Sequence, residues 1–201
     1  MKKIAPTLKV LAVAAAFVML AGCNTLSRNA ESSSMIVIES ITGETIEGDV
    51  VAFLESDVLG TGGIIGADTA TANIIIRMIN PDPINGPSQF NDVVLTNYRV
   101  TFELPAGPGT PGVDFPFPFD GNFSTVLCQV DNSTAVPFVV VLAAAKQAAP
   151  LVGLVGTTTV LELKAKIEIF GHDLTDKPVA ATGYLTIYFG DYQEAVPAPK
   201  K

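Results

Sequence analysis

Few residues in this chain have side chains suited to chemistry. His172 is the single histidine in 201 residues, which excludes a multi-histidine metal centre and leaves one imidazole base. It stands beside Asp173 and Asp176 in a turn, without the Gly-x-Ser-x-Gly elbow that presents a serine nucleophile. The residue types there are those of a turn, and a hydrolase would need folding to bring paired carboxylates or a serine to His172. Acidic and amide residues gather between the apolar segments: Asp82, Asn85, Asn91 and Asp92, then Asp120 and Asn122, then Asp131 and Asn132, then Asp173 and Asp176. Such hard oxygen ligands suit calcium, although no EF-hand spacing is present and both residue types are ordinary turn formers. Calcium or a small ligand held by these loops is therefore an alternative function, and no other cofactor is expected. Gly60-Thr61-Gly62-Gly63-Ile64-Ile65-Gly66 has neither the glycine spacing nor the Lys-Ser/Thr ending of a phosphate loop and reads as a strand connection.

Two stretches could instead meet a partner. In Asp114-Phe115-Pro116-Phe117-Pro118-Phe119-Asp120, alternate residues of an extended chain share a face, so Phe115, Phe117 and Phe119 are expected to point one way. Each proline deletes a backbone donor, which restricts the stretch to an edge or a bridging segment. Its phenylalanines either plug the core or form an apolar patch for a partner. Tyr184, Thr186 and Tyr188 alternate with apolar residues in the last strand, and any register that pairs the apolar sets places Tyr184 opposite Lys164 or Lys166. These five residues form a candidate partner surface, because tyrosine supplies contact area with a polar tip. The absence of Trp weakens the case for carbohydrate stacking.

The amino terminus carries the sharpest signal. Lys2, Lys3 and Lys9 precede an uncharged apolar run over residues 10–20, which is too short to span a bilayer, and Leu20-Ala21-Gly22-Cys23 follows. This pattern resembles the lipobox of bacterial lipoproteins. The resemblance implies removal of residues 1–22, diacylation of the Cys23 thiol and acylation of the new amino group. It also implies a lipid-anchored place in the cell envelope, and Asn24 rather than Asp after the cysteine resembles sorting to the outer membrane of a two-membraned host. Each buried CH₂ contributes about 0.8 kcal/mol, so two or three acyl chains hold a protein stably.

Removing those residues takes three Lys and no acid, moving the net charge from −8 to −11. The remaining basic residues (Arg28, Arg77, Arg99, Lys146, Lys164, Lys166, Lys177, Lys200 and Lys201) are scattered, so no stripe for nucleic acid exists. With Cys23 acylated, Cys128 has no partner in the chain, and its phase with Val126 and Val130 makes it a small core residue.

The elements that must position these residues are strands. After a polar tether over residues 24–34, with a reach of about 20 Å, segments rich in Val, Ile, Thr, Phe and Tyr alternate with Gly, Pro, Asn and Asp clusters. Strands are expected at 35–41, 49–56, 70–79, 92–103, 123–130, 136–142, 158–170 and 179–189. Residues 143–149 read as the one short helix, stopped by Pro150 and serving as a crossover. The apolar run 136–155 holds Lys146 and Gln147 near its centre, which argues for core strand plus crossover over a membrane span. The expected fold is all-β, an immunoglobulin-like Greek-key sandwich of seven to nine strands over residues 35–192, with a loose tail at 193–201. The expected function is that of a non-catalytic envelope module with a protein partner.

Overall fold

In Leu161–Asp173 (β8), Leu163, Ala165, Ile167 and Ile169 are buried while Glu162 and Lys164 face water. The returning strand Pro178–Gly190 (β9) buries Leu185, Ile187 and Phe189 on the same side. Lys166 stands opposite Tyr184 in the antiparallel register, as alternation requires once Leu163 faces Ile187. The computed structural model describes residues 32–80 and 86–192. The lipobox, Asp82 and the tail 193–201 therefore lie outside the described residues.

The other strands are Ser34–Glu44 (β1), Val50–Val51 (β2), Phe53–Asp57 (β3), Asp68–Met78 (β4), Val93–Glu103 (β5), Phe119–Cys128 (β6) and Ser133–Val141 (β7). One sheet runs β2-β1-β4-β7 and the other β3-β9-β8-β5-β6. Every pairing is antiparallel except that of β3 with β9. The chain changes sheets between β2 and β3, β3 and β4, β4 and β5, β6 and β7, and β7 and β8, so the fold is the expected all-β, immunoglobulin-like Greek-key sandwich. One single-turn helix, Ala143–Lys146 (α1), lies in the last of these crossings.

Two bulges keep apolar side chains between the sheets. In β5 the buried set changes from Val93 and Leu95 to Tyr98, Val100 and Phe102, because the register slips between Leu95 and Asn97. In β1 it changes from Ile36 to Ile41 across a slip between Ile38 and Ser40. The expected single strand at 49–56 is corrected to two: β2 pairs with β1, and β3 lies along β9 in the opposite sheet. The crossing passes Gly43, where an added Cβ would lie 2.5 Å from the Phe53 carbonyl oxygen. Strand β6 begins at Phe119 rather than 123, and α1 ends at Lys146 rather than 149. Within the apolar run 136–155, no described helix is long and apolar enough to cross a membrane.

Strand directions give the sandwich two distinct ends. Ser32, the loop before β5, and the β6–β7 and β8–β9 turns occupy the near end. The β1–β2 and β3–β4 connections, the β5–β6 loop and the β7–β8 crossing occupy the far end. Strands of 13 residues separate the ends by about 40 Å. The folded part reaches back into the segment read as tether: Ser32 and Ser34 are buried, and the Ser32 hydroxyl donates to Asp173 at 2.6 Å.

Candidate functional site

The far end brings the phenylalanine stretch against α1. The carboxylate of Asp114 accepts the Thr110 N–H at 2.8 Å, and the Gly112 N–H donates to the Phe115 carbonyl at 2.7 Å. These bonds make a tight turn in which Gly112 takes φ +79° and leaves its missing Cβ 2.5 Å from the Phe117 ring. Phe115 is buried against Leu104 and Gly109, and Phe119 is half-buried beside Tyr98. Phe117 is 69% exposed. The expectation that all three share one face is thus corrected. Phe115 bridges Pro111 within the turn, and residues 116–118 have no strand partner, so strand alternation does not carry across them. Phe115 plugs the core, and Phe117 lies at the surface.

Pro116, Phe117, Pro118 and Phe119 form one wall of a groove, and Leu142, Ala144, Ala145, Ala148 and Ala149 form the other. Its volume is about 210 Å³ and its lining is almost wholly apolar. Alanines suit the second wall because they let the facing chain come close while keeping the helical turn.

Lys146 holds that wall in place from its opposite side. Its side chain is 2% exposed, and Nζ lies 2.7 Å from Asp68 Oδ1 and 2.7 Å from the Asp57 carbonyl oxygen. Ser56, fully buried, donates its hydroxyl to Asp68 Oδ2 at 2.5 Å. Burial pushes the Asp68 carboxyl up from its ordinary value, opposed by the hydrogen bonds from Lys146 and Ser56. A buried charge is tolerated only when paired and hydrogen-bonded, as both members are here. In the sequence Lys146 is a cation within an apolar run. That misplaced charge is the signal of a buried pair, and nothing in the sequence marks Asp68, 78 residues away, as its partner. Beside this pair is a second cleft of about 280 Å³ bordered by Glu44, Glu55 and Asp57. Two of its carboxylates are already engaged, Glu55 with the Ile46 N–H and Asp57 with the Leu59 N–H.

Of the acidic residues singled out as calcium candidates, Asp92, Asp131, Asp173 and Asp176 lie at the near end, in its loops or at the close of β8. Asp120 sits in β6, not in a loop, and pairs with Arg99 across the strands at 2.7 Å. Arg77 pairs with Asp131. Asp92 accepts the Val130 N–H at 3.0 Å, and Asp173 accepts the hydroxyls of Ser32 and Thr175 and the N–H groups of Thr175 and Lys177. Burial raises the Asp173 carboxyl, but those hydrogen bonds outweigh it and hold the group at about 2. Asp176 is almost fully exposed, 3.7 Å from His172 Nδ1, which is also 3.0 Å from the Asp173 carbonyl oxygen. No group of three or more potential metal ligands forms among the described residues.

On the outer face of β8 and β9, Lys164 Nζ stands 4.0 Å above the Tyr184 ring and opposite Thr186 in register, while Lys166 pairs with Glu168 at 3.0 Å. Tyr184 is exposed, but Tyr188 is half-buried beneath the edge of Phe53, 5.6 Å away between ring centres. The expected open stripe is interrupted because β3 lies along β9, covering the end that carries Tyr188. Cys128 is buried as expected, and burial pushes its thiol up, opposed by a hydrogen bond with Thr134. The glycine-rich connection forms a short 3-10 turn at Thr61–Gly63, with positive φ at Gly62 and Gly63. No family model, curated protein or solved structure matches this chain.

Proposed function

We propose that this protein is a lipid-anchored, non-catalytic module of the bacterial cell envelope, held in the outer membrane where the host has one, and that it works by contact with another envelope protein. The observation that carries this reading is the polarity of the molecule. The segment from the acylated Cys23 enters the fold at Ser32, beside the β8–β9 turn, and the apolar groove lies at the opposite end. A membrane anchor at one end would hold the groove about 40 Å out from the entry point, where it can reach a neighbour. In support, Ser56 is buried and its acceptor Asp68 is paired with Lys146.

The test is chemical crosslinking in intact cells, followed by detergent extraction and purification of the full chain. It runs beside Cys23→Ala and a Tyr184→Ala/Tyr188→Ala variant. The reading expects thioether-linked acyl chains on Cys23 by mass spectrometry and a stoichiometric neighbour with the wild type. Release of the wild type by salt alone, or absence of any neighbour, refutes it.

A further inference from the structure

Hydrogen bonds gather three near-end loops around the point where the chain enters the fold. The Ser32 hydroxyl donates to Asp173 at 2.6 Å, the Ser33 carbonyl accepts the Ile79 N–H at 2.8 Å, and the Ser33 hydroxyl accepts the Asn91 side-chain amide at 2.8 Å. Ser34 donates its hydroxyl to the Asn91 carbonyl at 2.7 Å, and the Leu174 N–H donates to the Asp92 carbonyl at 3.2 Å. Each loop turns one large apolar side chain to water: Ile79 is 49% exposed, Phe90 58% and Leu174 42%. The charges around them offset one another. Arg77 pairs with Asp131, Lys177 follows Asp176, and Asp92 and Asp173 accept hydrogen bonds from within the fold.

We infer that Ile79, Phe90 and Leu174 form a lipid-contact face, which rests in the surface of the bilayer that holds the acyl chains of Cys23. This rests on the lipid-anchor reading proposed above and adds the face that meets the membrane. Eight residues lie between Cys23 and Ser32, and a chain of that length spans at most about 30 Å when fully extended. With the far end turned to the membrane, Ser32 would stand about 40 Å above it, beyond that span. The anchor therefore keeps the near end toward the lipid, although the far end also exposes apolar side chains such as Val113 and Phe117. Tethering makes the contact intramolecular, so a small apolar face suffices where it would not hold a free protein. The three side chains are carried on loops already fixed by the serine bonds, so little ordering is needed on contact. Because the neighbouring charges offset one another, the contact depends on apolar burial and resists salt. Its consequence is an upright domain, with the strands standing off the membrane and the far end facing away.

The test uses the full acylated chain in phosphatidylcholine vesicles whose acyl chains carry bromine. A bimane fluorophore is attached at Phe90→Cys, and separately at Phe117→Cys, the native Cys128 being buried. The label at 90 is expected to be quenched, at a depth of about 5 to 10 Å into the boundary of headgroups and acyl chains and at high salt as at low, while the label at 117 is not. Ile79→Asp combined with Leu174→Asp is expected to abolish quenching at 90 at unchanged melting temperature. Equal quenching at 90 and 117, or quenching at 90 that ignores the two aspartates, overturns the inference. A chain that floats with the vesicles while position 90 stays unquenched overturns the lipid-contact face and leaves the anchor reading standing, whereas a chain that does not float overturns both. In the intact bacterium, a photo-crosslinking residue at 90 is expected to capture lipid. A protein adduct there overturns the inference in favour of a protein partner at the near end.

Discussion

The Tyr98 hydroxyl accepts the backbone N–H of Val139 at 3.2 Å, joining the two sheets where β6 and β7 leave the sandwich open. The ring is wedged among Phe119, Phe123 and Phe138, and burial pushes its hydroxyl above the ordinary tyrosine value. It passes over Gly121, its partner in register, where an added Cβ would collide with the ring. Tyr98 therefore satisfies a donor on β7 that its strand partner β4 leaves free.

Tyr98→Phe keeps the ring and leaves the Val139 N–H without its acceptor. The expected loss is about 1 to 3 kcal/mol in urea unfolding. Gly121→Ala is expected to cost a similar amount by overpacking, and the two losses to be less than additive, since both act on the same ring. Additive losses would show that the ring position is not shared.

The hairpin of β8 and β9 was legible in the sequence because one residue in two is apolar over its whole length, and that period admits a single inward face. What hid the rest was local. Bulges near Thr96 and Glu39 shift the period by one residue, which no turn residue announces. Between Val51 and Phe53 only Ala52 separates two strands of different sheets, so 49–56 reads as one. The groove escaped notice for a different reason. Half of it is an alanine-rich turn whose position depends on Lys146 reaching Asp68, 78 residues away. Phe115 and Phe117 carry the same side chain two residues apart, and only the turn at Gly112 tells them apart.

The Lys146 and Asp68 pair is expected to fail asymmetrically. Lys146→Met leaves the Asp68 carboxylate poorly compensated in a largely buried site, and should cost about 3 to 5 kcal/mol in denaturant unfolding. Combining it with Asp68→Asn removes the stranded charge while keeping an acceptor for Ser56, and should recover most of that loss. A double variant as unstable as Lys146→Met alone would mean that lysine packing, not charge pairing, holds α1.

Asp173 makes acid stability measurable at the near end. Its carboxyl is held at about 2 in the fold against an ordinary 3.8. A depressed carboxyl stabilises the folded state above the ordinary value and loses that contribution as pH falls toward the folded one. The contribution is about 2 kcal/mol at neutral pH, and the window of loss runs from about pH 4 down to about pH 2. Unfolding midpoints of the wild type should fall across that window more steeply than those of Asp173→Asn. Parallel curves would show that Ser32, Thr175 and Lys177 do not select the charged form in solution.

Phe115 and Phe117 separate folding from surface. Phe115 is buried at the centre of its turn, so Phe115→Ala should cost about 3 kcal/mol or more by removing contacts with Leu104 and leaving a cavity. Phe117 is mostly in water, and Phe117→Ser should change stability by no more than about 0.5 kcal/mol. Thermal melting of the two variants in parallel decides the assignment. A large loss at Phe117 would place its ring in the core and remove one wall of the groove, whereas an unaffected Phe115 variant would mean the turn packs without its plug.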